Sequence, residues 1–186
     1  MEMSTDSHSV PMLPIALSDL INRSLCQVFP YEDAKIDIHY DLAHEHQILG
    51  DDIKLQRVLV NIIDNARQAM NGEGEIWIKS REDSQQRLTL SIRNSGSFIQ
   101  QADLRRIFEP FFTKGKRNGT GLGLAICKKI IDSHGGYIEC TSSMDEGTTF
   151  SITLHTSEIR ERLETQHLPR SSREIRRQFL DSMHSA

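Results

Sequence analysis

Residues 51–72 place the tightest constraint on what this chain can fold into. Asp51 and Asp52 are helix-capping types, and Leu55, Val58, Leu59, Ile62, Ala66 and Ala69 then recur at helical spacing as one apolar stripe that stops near Asn71-Gly72. Such a stripe has to be covered by a second layer. The flank of the same helix is polar: Arg57, Asn61, Asn65 and Gln68 follow at intervals of four, four and three residues and share an edge. The fold must therefore bury one side of this helix while presenting two carboxamides along its border.

The covering layer reads as a sheet. Lys35-Ile36-Asp37-Ile38-His39-Tyr40 alternates apolar and polar residues, residues 75–80 and 88–93 alternate around the polar segment 82–87 as a hairpin does, and residues 137–141 and 148–154 flank a turn at Asp145-Glu146-Gly147. A further helix is expected from Leu17, Leu20, Ile21, Leu25 and Val28, with Ser18 or Asp19 as its cap and Pro30 closing it. Another runs over residues 122–133 and stops at Gly135-Gly136, and a short one lies around residues 102–107. About five strands and about three helices predict an α+β fold, a two-layer sandwich whose mixed sheet carries its helices on one face. The chain divides into an arm over residues 1–16, one domain over residues 17–156 and a charged tail over residues 157–186, possible ground for short helices.

Several function classes fall away. A formal net charge of −4 gives no broad basic field for nucleic acid or an anionic membrane surface. Cys26, Cys127 and Cys140 are widely spaced with no CxxC pair, so neither a zinc site nor a disulfide framework is indicated, and a reducing cytoplasm fits. No apolar run approaches the ~18 residues needed to span a bilayer, so these residues make no membrane contact, although they suit the cytoplasmic part of a membrane sensor. His44-Glu45-His46 reads as an exposed loop, because three neighbours cannot converge on one ion without further ligands.

Gly119-Thr120-Gly121-Leu122-Gly123-Leu124 runs directly into a helix. Glycine permits close backbone approach to phosphates, and the free amides and dipole of a helix start favour anions. The run matches neither the Walker pattern nor the dinucleotide GxGxxG, which follows a strand. Asn61 and Asn65 strengthen it, since two carboxamides one turn apart can offer oxygens to a magnesium ion that bridges nucleotide phosphates. Taken alone, the Asn pair would read as a solvated helix edge and Phe108, Phe111 and Phe112 as core.

Together they carry a resemblance. Asn61-Ile62-Ile63-Asp64-Asn65-Ala66, Asn94-Ser95-Gly96, Phe108-Glu109-Pro110-Phe111-Phe112-Thr113-Lys114, Gly119-Thr120-Gly121-Leu122-Gly123-Leu124-Ala125 and Gly147-Thr148-Thr149-Phe150 occur in the order seen in the ATP-binding catalytic domains of sensor histidine kinases. Residues 17–154 resemble that family, whose Bergerat-type fold is shared with gyrase and the heat-shock chaperones. The resemblance implies ATP and Mg2+ as cofactors, Asn65 as the magnesium ligand, Asn61 beside the phosphates and Gln68 further along the same edge. It implies that the backbone from Gly119 through Thr120, Gly121, Leu122, Gly123 and Leu124 wraps the triphosphate, with Thr113 and Lys114 as further contacts and Arg117 as a weaker one. Asn94, Gly96, Ile99 and Thr148 would surround the adenine. Phe108 and Phe111 would be mainly structural, near a docked partner. The implied partners are a two-helix hairpin carrying the phospho-acceptor histidine and a response regulator.

Two departures shape the functional expectation. Where the family has an aspartate that accepts a hydrogen bond from the adenine amine, this chain has Asn94, a neutral and weaker acceptor, and Phe98 replaces the second glycine of the same motif. Residues 1–16 leave no room for the hairpin, and His8, followed by Ser9-Val10, is not a candidate acceptor. The leading expectation is phosphoryl transfer from ATP to a histidine on another chain or upstream segment. The alternatives are a degenerate module acting through protein contacts and a stand-alone serine kinase of the anti-sigma-factor type.

Overall fold

The computed structural model describes residues 12–30, 35–42, 47–96, 98–114 and 120–156. His8, the His44-Glu45-His46 loop, Arg117, Gly119 and the tail over residues 157–186 lie outside the described residues. In chain order the elements are β1 (Leu13–Ala16), α1 (Leu17–Val28), β2 (Ile36–Leu42), β3 (Gln47–Gly50), α2 (Asp52–Ala69), β4 (Gly74–Glu82), β5 (Arg87–Asn94), α3 (Gln101–Leu104), α4 (Gly123–Ser133), β6 (Tyr137–Ser143) and β7 (Gly147–His155).

The main sheet has the order β2-β4-β5-β7-β6. Only β2 and β4 run parallel, because α2 supplies the crossover a parallel pair requires, and the other neighbours are antiparallel. Strict alternation along β5 turns Leu88, Leu90, Ile92 and Asn94 inward. These meet Val58, Ile62 and Ile63 of α2, all 0% exposed, together with Leu20 and Ile21 of α1, Ile131 of α4 and Ile152 of β7 in one core. Ile63 is the deeply buried member of the α2 stripe that sequence spacing leaves out, while Ala69 is only half-buried. Among the described residues no helix is long and apolar enough to cross a membrane.

Two expectations are corrected. Residues 13–16 are not part of an arm: they form β1, which pairs antiparallel with β3 from Leu13↔Gly50 to Ala16↔Gln47 and buries Ile15 and Ile48. Four residues are too few to display a period, so neither strand stands out in the sequence. Helix α1 consequently starts at Leu17 directly after β1, with Ala16 at its N-cap and no side-chain cap bond, rather than at a cap from Ser18 or Asp19.

The start of α2 is held from the far end of α4. Asp51 accepts from Lys54 N–H as an N-cap, and its own N–H donates to Nε2 of the buried His134 at 3.0 Å. Nδ1 of His134 lies 2.8 Å from Ile130 O, which fixes the ring proton on Nδ1. The Lys54 side chain, hydrogen-bonded to Asp51, holds that carboxyl below the usual aspartate range. This part of the cap's stabilisation is present at neutral pH and is lost as pH falls through the depressed value.

His134→Leu keeps the volume but leaves the Asp51 amide without its partner, while the Ile130 carbonyl still accepts from the Ser133 hydroxyl and the residue 134 amide, so it should destabilise by about 2 kcal/mol. Arg23→Ala, which removes an exposed ion pair to Asp52, should cost no more than about 1 kcal/mol. Urea denaturation of the two variants side by side checks the ranking, and an equal shift would remove His134 from this role.

Candidate functional site

The polar edge of α2 faces the start of α4. Asn61 donates through Nδ2 to Arg57 O at 3.1 Å, and its Oδ1 lies 2.9 Å from where a Cβ on Gly123 would stand. A side chain at Gly123 would require this carboxamide to shift. Asn65 is half-buried one turn further on, and the exposed Gln68 donates to Asp64, which also accepts from Arg67. A groove of ≈ 510 Å³ along the same helix includes Arg57, Asn61 and Asp64 in its walls. Leu122, the N-cap of α4, makes no side-chain cap bond, so the first amides of α4 are not capped by the N-cap residue itself.

The phenylalanine segment is tied to the glycine run through backbone. Phe111 N–H donates to Gly121 O at 2.9 Å, with Phe111 at φ 67° and Gly121 at φ 68°. A Cβ on Gly121 would stand 2.4 Å from the Phe111 carbonyl carbon. Phe108 packs edge-on against Phe150, and the Arg106 guanidinium lies over Phe112. Phe111 is 74% exposed, so the expectation that it is mainly structural holds for Phe108 and not for Phe111, whose left-handed backbone turns the ring outward. Lys114 is paired with Asp103 and also donates to Gln100 at 3.0 Å, Thr113 and Thr120 are exposed, and Leu122 and Leu124 are half-buried.

At the end of the sheet a polar row crosses three strands. Asn94 on β5 is register partner of Thr148 on β7, which is register partner of Ser142 on β6. Asn94 and Thr148 are 2% and 4% exposed. Nδ2 of Asn94 donates to Ser95 O at 2.7 Å. Gly147 passes so close beneath β5 that a Cβ would stand 2.1 Å from Asn94 O, and Gly96, at φ 91°, packs on Met70 at the end of α2. Ile99 N–H donates to Ser142 Oγ at 2.9 Å, drawing the loop after β5 across to β6. Phe98 is 38% exposed.

Sequence reasoning missed Ser142, His134 and the Asp103 partner of Lys114. Of these only Ser142 left a trace: the hairpin around Asp145-Glu146-Gly147 puts it opposite Thr148. Burial pushes the Cys127 and Cys140 thiols up to about 12, so neither is a thiolate nucleophile at neutral pH.

Comparison with known proteins gives these features a context. Residues 50–158 match the family model described as histidine kinase-, DNA gyrase B-, and HSP90-like ATPase. The chain is 35% identical over 156 residues to the signal transduction histidine-protein kinase AtoS of Escherichia coli K12, a match that covers 83% of this chain and 25% of that protein. It is 35% identical over 143 residues to the sensor histidine kinase ZraS of Salmonella typhi, covering 75% and 30% respectively. The chain thus spans less than a third of the length of these relatives. Among solved structures, the catalytic domain of histidine kinase ThkA aligns with a TM-score of 0.70 at 33% identity over 78% of this chain and 96% of its own. The mycobacterial sensor histidine kinase MprB aligns with a TM-score of 0.70 at 27% identity over 78% and 97%.

Gly121→Ala should break the Phe111–Gly121 backbone contact while leaving the core intact, because the added methyl meets backbone on one side only. The expected result is loss of hydrogen-exchange protection around Phe111 with a small change in melting temperature. Unchanged protection would show that the contact does not tie the two segments together.

Proposed function

The chain belongs to the histidine kinase-, DNA gyrase B- and HSP90-like ATPase family, as a sensor-histidine-kinase-type catalytic domain, and from that premise we propose that it binds Mg2+-ATP and serves transfer of the γ-phosphoryl group to a histidine on a two-helix hairpin. The hairpin would come from another segment or another chain, and a response regulator would be the next acceptor. The observation that carries the proposal is the close meeting of Asn61 with Gly123, which joins a carboxamide edge to an uncapped helix start.

The residues present fit the group. Oxygen donors along α2 suit magnesium, which takes few protein ligands beside phosphate and water, and the first amides of α4 suit phosphate oxygens. When bound, Mg2+-ATP supplies the transferable phosphoryl group and neutralises the charge that develops on it. Asn65 would hold the metal, with Asn61 beside the phosphates. The backbone of Gly119, Thr120, Gly121, Leu122, Gly123 and Leu124 would surround the triphosphate. Lys114 would exchange Asp103 for phosphate, a small loss because a pair with so exposed a lysine is worth only about 0–1 kcal/mol. Thr113 and Gln68 would lie at the margin, and Asn94, Gly96, Ile99 and Thr148 at the base. The chain's work in catalysis would be positioning and charge stabilisation rather than covalent chemistry.

One observation favours a second reading, a module that binds nucleotide weakly and acts through protein contacts: Phe98 is partly exposed beside the base site where the family keeps glycine. Calorimetric titration with a non-hydrolysable ATP analogue, with and without Mg2+ and against a GTP analogue, separates the two. Magnesium-dependent, adenine-selective binding that Asn65→Ala weakens at least about tenfold is the expected outcome. No binding at millimolar nucleotide would leave the second reading. Acid-labile label passing from ATP to a supplied histidine hairpin would complete the test, and acid-stable label on a serine would redirect it to a serine kinase.

A further inference from the structure

We propose that Asp103 is a positioning residue for phosphate binding: its carboxylate, together with the Gln100 carboxamide, holds the Lys114 ammonium back at α3, so that a nucleotide triphosphate binds by displacing an internal anion. The inference rests on the nucleotide-site reading above and names the group with which the phosphates compete.

Lys114 stands where it can serve either anion. Phe111 N–H donates to Gly121 O at 2.9 Å, which ties the phenylalanine segment to the glycine run that enters α4. Lys114 follows three residues later, a stretch of at most about 10 Å, and carries its ammonium on a flexible four-carbon stem. That stem turns back toward α3. Nζ is hydrogen-bonded to Asp103 Oδ2 and lies 3.0 Å from Gln100 Oε1. Two of the three ammonium protons are engaged there, and a carboxylate matches its charge.

The acceptors are the fixed side of this pair. Ile99 N–H donates to Ser142 Oγ on β6, the N–H groups of Asp103 and Leu104 donate to Gln100 O, and those of Arg106 and the buried Ile107 return to Asp103 O. The Asp103 side chain is 15% exposed and that of Lys114 59%. The carboxylate is thus built into the turn around α3, whereas the lysine reaches it from outside and can leave without disturbing the core. It has to leave in order to meet a phosphate at full charge, because an ammonium already neutralised attracts a second anion weakly. Asp103 therefore opposes every ligand whose phosphates draw on Lys114.

Calorimetric titration of the full chain and its variants with a non-hydrolysable ATP analogue and Mg2+ tests the competition. Asp103→Asn keeps the shape and removes the competing charge, so it is expected to tighten binding about two- to fivefold, the scale of an ion pair with one exposed partner. Gln100→Glu sets a second carboxylate against the same ammonium and should weaken binding by a similar factor. Gln100 is exposed, which keeps the test open if Asp103→Asn folds poorly. Both effects should vanish in a Lys114→Met background, which keeps most of the stem and removes its charge. A general field of the altered charges would persist there, and a purely structural Asp103 would weaken binding when replaced. Unchanged or weaker binding by folded Asp103→Asn, unchanged or tighter binding by Gln100→Glu, or either effect surviving in Lys114→Met would overturn the proposal. Wild-type chain that binds no nucleotide would overturn the nucleotide-site reading itself, a result distinct from these.

Discussion

The antiparallel seam between α2 and α4 is the contact on which the rest of the arrangement depends. Gly123 meets Asn61, Cys127 Sγ lies 3.9 Å from Val58 O, and His134 accepts from the Asp51 amide, so α4 runs back along the first half of α2. The 11 residues of α4 and the stretch from Asp51 to Asn61 each span about 15 Å at the helical rise, which is why both ends can be pinned at once. With the two pins in place the rotation of α2 is fixed. Its stripe goes into the core, and its carboxamide edge turns toward the start of α4.

Much of this was legible. The inward parity of β5, the stop of α4 at Gly135 and the coincidence of two Asn residues on one helix edge follow from period and spacing. What escaped was everything settled by contact rather than by period. β1 and β3 are stabilised by pairing with each other and by burial of Ile15 and Ile48, which no local window shows. His134 follows a helix and gives no sign in sequence that its ring reaches the amide of Asp51, 83 residues away. The family was readable because several motifs occur in order; each one separately has an ordinary structural explanation.

The glycine run and the phenylalanine segment are tied to one another and to the sheet by separate contacts. Gly121 and Phe111 share a backbone bond in which both residues have left-handed φ, and the Phe111 ring is left outside the core. Phe108, by contrast, is pressed edge-on against Phe150 of β7. Two phenylalanines three residues apart thus do opposite work, one holding the segment to the sheet and the other exposing apolar surface beside the glycine run. A large exposed ring on a constrained backbone favours contact with another surface over contact with water.

Asn94 is the residue where sequence comparison and local chemistry pull in different directions. As a replacement for aspartate it reads as a loss, because a neutral acceptor binds an amine less strongly than a carboxylate does. In place, its amide nitrogen satisfies Ser95 O at 2.7 Å, a bond an ionised aspartate has no proton to make, and one that would instead set a carboxylate oxygen against a carbonyl in a nearly dry setting. The asparagine is therefore the better partner for this loop even if it is the weaker partner for a base.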